Sequence, residues 1–157
     1  MQKSCKNKIV EPNNYIAQML SKLFAGKCSA TKNMLQFLYF SYYLFPEDGE
    51  VYFAIKEIVD DEFLCHKILA EDIVFLGNLP QYKYLNNLLF SVGDIEYPCS
   101  INQIVELALE IKENYIIEIK NVLQKVKNKQ IVCDLGKILQ INQRHKQMLS
   151  ALKNNFK

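Results

Sequence analysis

Apolar residues recur every three or four positions over most of this chain, the spacing of helices with one buried face. Four long segments carry the pattern. Asn13 or Asn14 is placed to cap a first helix running to about Phe45, with an inward stripe of Leu20, Leu23, Lys27, Ala30, Met34, Phe37, Ser41 and Leu44. Pro46-Glu47-Asp48-Gly49 ends it, and a second helix runs from about Glu50 to Leu76, stopped by Gly77. Ser100-Ile101-Asn102-Gln103 is a capping box that opens a third helix reaching about Val126. Lys127-Asn128-Lys129 breaks the pattern, and a fourth helix runs to about Lys153.

Between the second and third helices lies a long stretch, Asn78 to Cys99. It contains Pro80, Gly93 and Pro98, with a short helix expected around Tyr84 to Phe90. Two short connections flanking one long one describe an all-α, up-down four-helix bundle with a single long crossover. The runner-up is a plain helical bundle with a helical hairpin inserted in the middle. The reading gives a flexible arm over residues 1–13 and one domain over 14–157.

Two of the stripes are interrupted by a polar pair three residues apart. Glu62 and Cys65 fall within Val51, Ile55, Ile58, Glu62, Cys65 and Leu69. Asn142 and His145 fall within Ile131, Leu135, Ile138, Asn142, His145, Leu149 and Leu152. Residues three and four apart share a helix face, so both pairs point inward, where polar groups are costly unless partnered. Helical bundles that hold two metal ions use this arrangement, with Glu-x-x-His on two helices and one Glu on each of the other two.

Composition narrows the alternatives. Half of the 157 residues are hydrophobic, which disfavours disorder, and five Gly with four Pro disfavour a turn-rich β fold. A net charge of +2, with the lysines dispersed, gives no mandate for nucleic acid or an anionic membrane. The longest uncharged apolar run, Met34 to Phe45, is too short to span a bilayer. Five cysteines at 5, 28, 65, 99 and 133 lack Cys-x-x-Cys spacing, and the N-terminus lacks the apolar core of a secretory signal. The expectation is a cytoplasmic protein with reduced thiols. No Gly-rich phosphate loop or nucleophile elbow occurs.

At three places the chain resembles the rubrerythrin-like branch of the ferritin-like superfamily. Leu23-Phe24-Ala25-Gly26-Lys27 is similar to that branch's first-helix Ala-Gly-Glu motif. Glu62 to Gly77 is similar to its second helix, where Glu-x-x-His precedes an Ile-Leu run ending in Leu-Gly. Ile138 to His145 is similar to its fourth helix, where an Ile-rich turn leads into Glu-x-x-His. The likeness spans roughly residues 15–77 and 100–152.

Carried over residue by residue, the resemblance implies a degenerate dinuclear site. Lys27 replaces the first Glu, Glu62 is kept, and Cys65 replaces its His partner. Glu113, flanked by Leu109 and Ile117, supplies the third-helix Glu, although an ungapped count back from the fourth helix lands on Lys112. Asn142 replaces the fourth-helix Glu, and His145 is kept.

On this reading the Lys27 ammonium takes the place of the lost metal, beside Glu62 and Glu113. No cofactor is expected, and the function is a non-enzymatic structural or partner-binding module. The alternative is an oxidoreductase acting on peroxide, oxygen or iron, with iron, zinc or manganese held by Glu62, Cys65, Glu113 and His145. His66, four residues after Glu62, is either a displaced ligand or a helix-boundary residue. The aromatic run Phe37 to Phe45 continues round the whole helix, and both this and the resemblance imply a homodimer.

Overall fold

A computed structural model describes residues 12–45, 49–84, 88–89 and 92–155. Among the described residues there are five α-helices: α1 (Asn14–Ala25), α2 (Ala30–Leu44), α3 (Glu50–Phe75), α4 (Ile101–Leu123) and α5 (Lys129–Asn155). Together α1 and α2 make one arm of an up-down four-helix bundle, and α3, α4 and α5 make the other three.

Most helix ends follow the local chemistry. The Asn13 side chain accepts from Ile16 N–H at 3.0 Å and caps α1. Ser100 caps α4 by accepting from Gln103 N–H, while the Gln103 side chain accepts from Cys99 N–H at 2.8 Å. Asn128 accepts from Gln130 and Ile131 N–H at the start of α5. At the end of α3, Gly77 has φ +80, and the N–H groups of Gly77 and Asn78 close onto the carbonyls of Val74 and Ile73. That left-handed turn suits glycine and makes the helix stop abrupt.

The first arm differs from the single helix expected over 14–45. It breaks at Gly26 to Ser29, and Ser29 caps α2 by accepting from Lys32 N–H at 3.2 Å. Glycine inside a helix costs about 1 kcal/mol, and serine competes as a cap. Three carbonyls at the end of α1 nevertheless find donors. Gly26 N–H donates to Lys22, the Tyr115 hydroxyl to Leu23 at 3.3 Å, and the Thr31 hydroxyl to Phe24 at 2.6 Å.

The break also resets the register. The inward residues of α2 are Asn33, Gln36, Phe37, Phe40 and Leu44, while Met34 and Ser41 are only partly buried. Lys27, expected inside, is exposed because it lies in the break and on neither helix face.

The core has two apolar halves. One joins α1 to the C-terminal part of α3, the C-terminal part of α4 and the N-terminal part of α5. The other joins α2 to the N-terminal parts of α3 and α4 and the C-terminal part of α5. Thus α3 and α4 run parallel, and each is antiparallel to its hairpin partner. A parallel pair needs a connection along the bundle's whole length, which the segment between α3 and α4 supplies.

That segment contains a two-residue antiparallel pair, β1 (Lys83–Tyr84) with β2 (Leu88–Leu89), where a short helix was expected. It continues through a 3-10 turn at Val92–Asp94. Gln36 pins it to α2 with two hydrogen bonds to the Glu96 backbone, each 2.8 Å. Among the described residues no helix is long and apolar enough to cross a membrane. The expected arm at residues 1–13 falls almost wholly outside the described residues, as does the turn at Pro46 to Asp48.

Candidate functional site: a buried ion-paired cluster

A polar layer separates the two apolar halves, and it is built from the interrupted stripes. Glu62 and Cys65 on α3, and Asn142 and His145 on α5, are all fully buried. The residue that α4 adds is Lys112, also at 0 % exposure. Its ammonium donates to Glu62 Oε1, and to Asn142 Oδ1 at 2.9 Å. It also lies 4.7 Å from the centre of the Phe37 ring on α2, a cation–π distance. Asn142 Nδ2 donates to the Ile138 carbonyl at 2.8 Å, which holds the amide with its oxygen towards Lys112.

Two expectations for this layer are corrected. Lys27 supplies no ammonium here, and Lys112 does. Glu113 faces outward, about half exposed, and pairs with Lys146 at 2.9 Å. The buried face of α4 runs Ala108, Lys112, Tyr115, Ile119, and Glu113 stands 100° round the helix from Lys112 on its outward side. Its supposed flank Ile117 is itself exposed. Substituting Lys27 with alanine is expected to change the unfolding free energy by less than about 0.5 kcal/mol. Urea denaturation checks this, and a large loss would return Lys27 to the core.

The remaining members have distinct surroundings. His145 Nε2 stands 2.8 Å from Asp61 Oδ2, and Arg144 binds the same oxygen at 2.5 Å. Burial, then the Lys112 charge, push the imidazole down to about 4, with Asp61 opposing them. His145 is therefore neutral at pH 7. Nε2–H donates to Asp61, and Nδ1 faces the interior with no partner among the described residues. Glu62 Oε2 is likewise without one. The Cys65 thiol is pushed up, first by burial and then by the Glu62 charge, so it is not a thiolate. His66 lies between helices, its ring 4.5 Å from Phe24 and 6.1 Å from Tyr82.

These residues do not suit a dinuclear metal centre. Such centres gather carboxylates to offset the ionic charge. Here one carboxylate, Glu62, is already neutralised by an ammonium in the middle of the layer. Among the described residues, no three His, Cys, Asp or Glu side chains stand together as a metal ion requires.

Sequence reasoning missed a second polar spot. Asp72 on α3 is 5 % exposed, and its Oδ2 lacks a partner among the described residues. Burial first, then the Asp134 and Glu71 carboxylates, raise it to about 7 against the pull of Lys137. Asp134 is held by Gln130 at 2.5 Å and Lys137 at 2.7 Å. The signal was available, since Asp72 continues the Cys65, Leu69 stripe by one more turn.

Asp72 and His145 act on stability with opposite signs. Between about pH 4 and 7 the folded chain keeps an Asp72 proton that the unfolded chain releases, so this group lowers stability as pH rises. Between about pH 4 and 6.5 the unfolded chain binds a His145 proton that the folded chain refuses, so this group raises it. The two offset each other. Asp72→Asn removes the first, and its advantage over the parent is expected to grow from pH 4 to 7 and then level off. Allowing for partial solvation, the plateau is about 1–2 kcal/mol. Denaturation midpoints across pH 4–8 check this, and a pH-independent difference would contradict it.

No family model matches the sequence, and no curated protein is similar to it. Solved structures are. KatB, a manganese catalase from Anabaena PCC7120, superposes with a TM-score of 0.86 at 14% identity, over 99% of this chain and 80% of that one. A bacterioferritin from Desulfovibrio desulfuricans, with a diiron site, gives 0.75 at 18% identity, over 88% and 78%. At these identities the likeness establishes the fold, which is the ferritin-like four-helix bundle.

Proposed function

We propose that this chain is a ferritin-like bundle whose dinuclear centre has been replaced by the Lys112–Glu62–Asn142 cluster, and that it serves as a structural or partner-binding module. The observation that carries the reading is the fully buried ammonium of Lys112, bonded to Glu62 and Asn142. An ion pair there supplies the charge balance that metal ions supply in the resembled bundles. The Glu62/Cys65 and Asn142/His145 spacings support descent from a rubrerythrin-like pattern. The free thiols of Cys28, Cys65, Cys99 and Cys133 support a reducing cytoplasm. The module is read as one domain from residue 14 onward.

The alternative is an oxidoreductase built on an atypical metal site. Two observations favour it, the unpartnered Glu62 Oε2 and His145 Nδ1, since both are metal-type donors. Assays of peroxide breakdown and of oxygen-dependent Fe²⁺ oxidation separate the two. Background rates with added iron or manganese support the module, and metal-dependent turnover supports the enzyme.

Self-association is part of the proposal. Phe45, Tyr52 and Phe53 form a continuous aromatic patch, with ring centroids 6.1 and 5.5 Å apart. Phe45 and Phe53 are 69% and 59% exposed. Such a patch suits a symmetric dimer. Light scattering at micromolar concentration is expected to give a dimer, and Phe53→Ser a monomer. A monomeric parent protein would remove this part.

A further inference from the structure

Along α4, Leu107, Glu110 and Ile111 fall at the i, i+3, i+4 spacing that puts them on one face, beside the buried one through Lys112. They form one side of a cleft of about 410 Å³, the size of a small-molecule site. The other side is the break between α1 and α2 with the first turn of α2, which bring Lys27, Cys28, Lys32 and Asn33. Glu96 also lines the cleft, held beside α2 by its two backbone hydrogen bonds to Gln36.

Two features of the cleft call for an occupant. Its basic groups come from the break and α2, and its acidic groups from the crossover and α4. Among the described residues neither lysine forms an ion pair with either glutamate, although all four line one cleft. The second feature is Asn33, which is 2% exposed and whose Nδ2 has no partner among the described residues. A buried N–H without an acceptor is costly. Asn33 stands in the first turn of a fifteen-residue helix with no acidic residue in that turn, a place that favours an anionic acceptor. Leu107 and Ile111 are only partly buried and leave apolar surface on the α4 side.

We propose that this cleft binds a small ω-amino acid, a molecule whose carboxylate and ammonium are joined by an apolar spacer. Lys32, Asn33 and the start of α2 take the carboxylate. Glu110 and Glu96 take the ammonium, and the spacer lies on Leu107 and Ile111. A simple anion would leave the two glutamates opposing it, and a simple cation the two lysines. A molecule with both charges complements both sets. None of Lys112, Glu62 and Asn142 lines the cleft, so the site leaves the buried cluster intact and does not depend on the functional reading above.

Cys28 reports on occupancy, because it lines the cleft as a free, half-buried thiol. The rate at which iodoacetamide alkylates it is read by peptide mass spectrometry on the full chain, with exposed Cys133 as the control in the same digest. The probe is ε-aminocaproate, compared with caproate and hexylamine, which each keep one charge. Millimolar ε-aminocaproate is expected to slow alkylation of Cys28 and not of Cys133. Each single-charge analogue is expected to bind about tenfold more weakly, the loss of one charge-assisted contact.

Lys32→Gln and Glu110→Gln change side chains that make no hydrogen bond or ion pair among the described residues, so both are expected to fold. With rates normalised to each variant without ligand, both are expected to weaken ε-aminocaproate about tenfold. Lys32→Gln is expected to leave hexylamine unchanged, and Glu110→Gln to leave caproate unchanged. No protection of Cys28 at tens of millimolar, or equal protection of Cys133, would overturn the proposal. Caproate as effective as ε-aminocaproate would make the cleft an anion site only and overturn it too. Full affinity retained in both variants would have the same consequence.

Discussion

Lys112→Met is expected to lower the unfolding free energy by about 3–5 kcal/mol, because it leaves Glu62 charged, buried and without its counter-ion. Among the described residues the ammonium has no substitute nearby. Lys27 is exposed, and Arg144 is occupied at Asp61 and Glu57. Adding Glu62→Leu is expected to recover about 2 kcal/mol or more, since an apolar pair in place of a buried ion pair is often neutral or better. The comparison of the single with the double variant isolates the stranded charge, because both lack the lysine. Chemical denaturation measures it. A double variant no more stable than the single one would mean that Glu62 and Lys112 do not depend on each other.

The second large effect runs the other way. Lys112→Glu combined with Asn142→Glu places two carboxylates against Glu62, with His145 Nδ1 free beside them. Without metal, that concentration of negative charge in a buried layer is expected to destabilise the fold severely. With manganese or ferrous iron it becomes a cage of carboxylates and imidazole. Saturation at about one hundred times the dissociation constant is worth roughly 2.7 kcal/mol. Melting temperature with and without Mn²⁺ reads the effect, and the parent chain is expected to show none. Lys27→Glu is expected to confer no such response, because that residue lies outside the core. A double variant indifferent to metal would mean that the layer no longer has the shape of a metal site.

Much of this was legible in the sequence. The stripes of α3 and α5 placed Glu62, Cys65, Asn142 and His145 inside because period and chain direction suffice for that. The capping box of α4 and the glycine stop of α3 are local signals, and they fixed the helix ends.

The break at Gly26 was not legible. A single glycine is tolerated in many helices, and what stabilises this break comes largely from elsewhere: Tyr115, some ninety residues on, takes the Leu23 carbonyl. Missing the break put Lys27 inside and shifted the face of α2 by about one residue. The error on α4 has a different origin. Ala108, Lys112, Tyr115 and Ile119 form a regular stripe, but the resembled pattern asks for a carboxylate on this helix, so Glu113, flanked by Leu109 and Ile117, was favoured. Only the pairing with Glu62, fifty residues away, reverses that preference. The expectation placed the ammonium of Lys27 beside Glu62, and the structure places that of Lys112 there instead.

The central proposal is that the Lys112–Glu62 ion pair stands in place of a metal centre such as the diiron site of the bacterioferritin. Metal content tests it most directly: elemental mass spectrometry on untagged protein purified without chelator, before and after equilibration with manganese and ferrous iron. The account predicts well under about a tenth of an ion per chain in both samples, since an occupied ammonium site repels divalent cations. Close to two ions of iron or manganese per chain would contradict it.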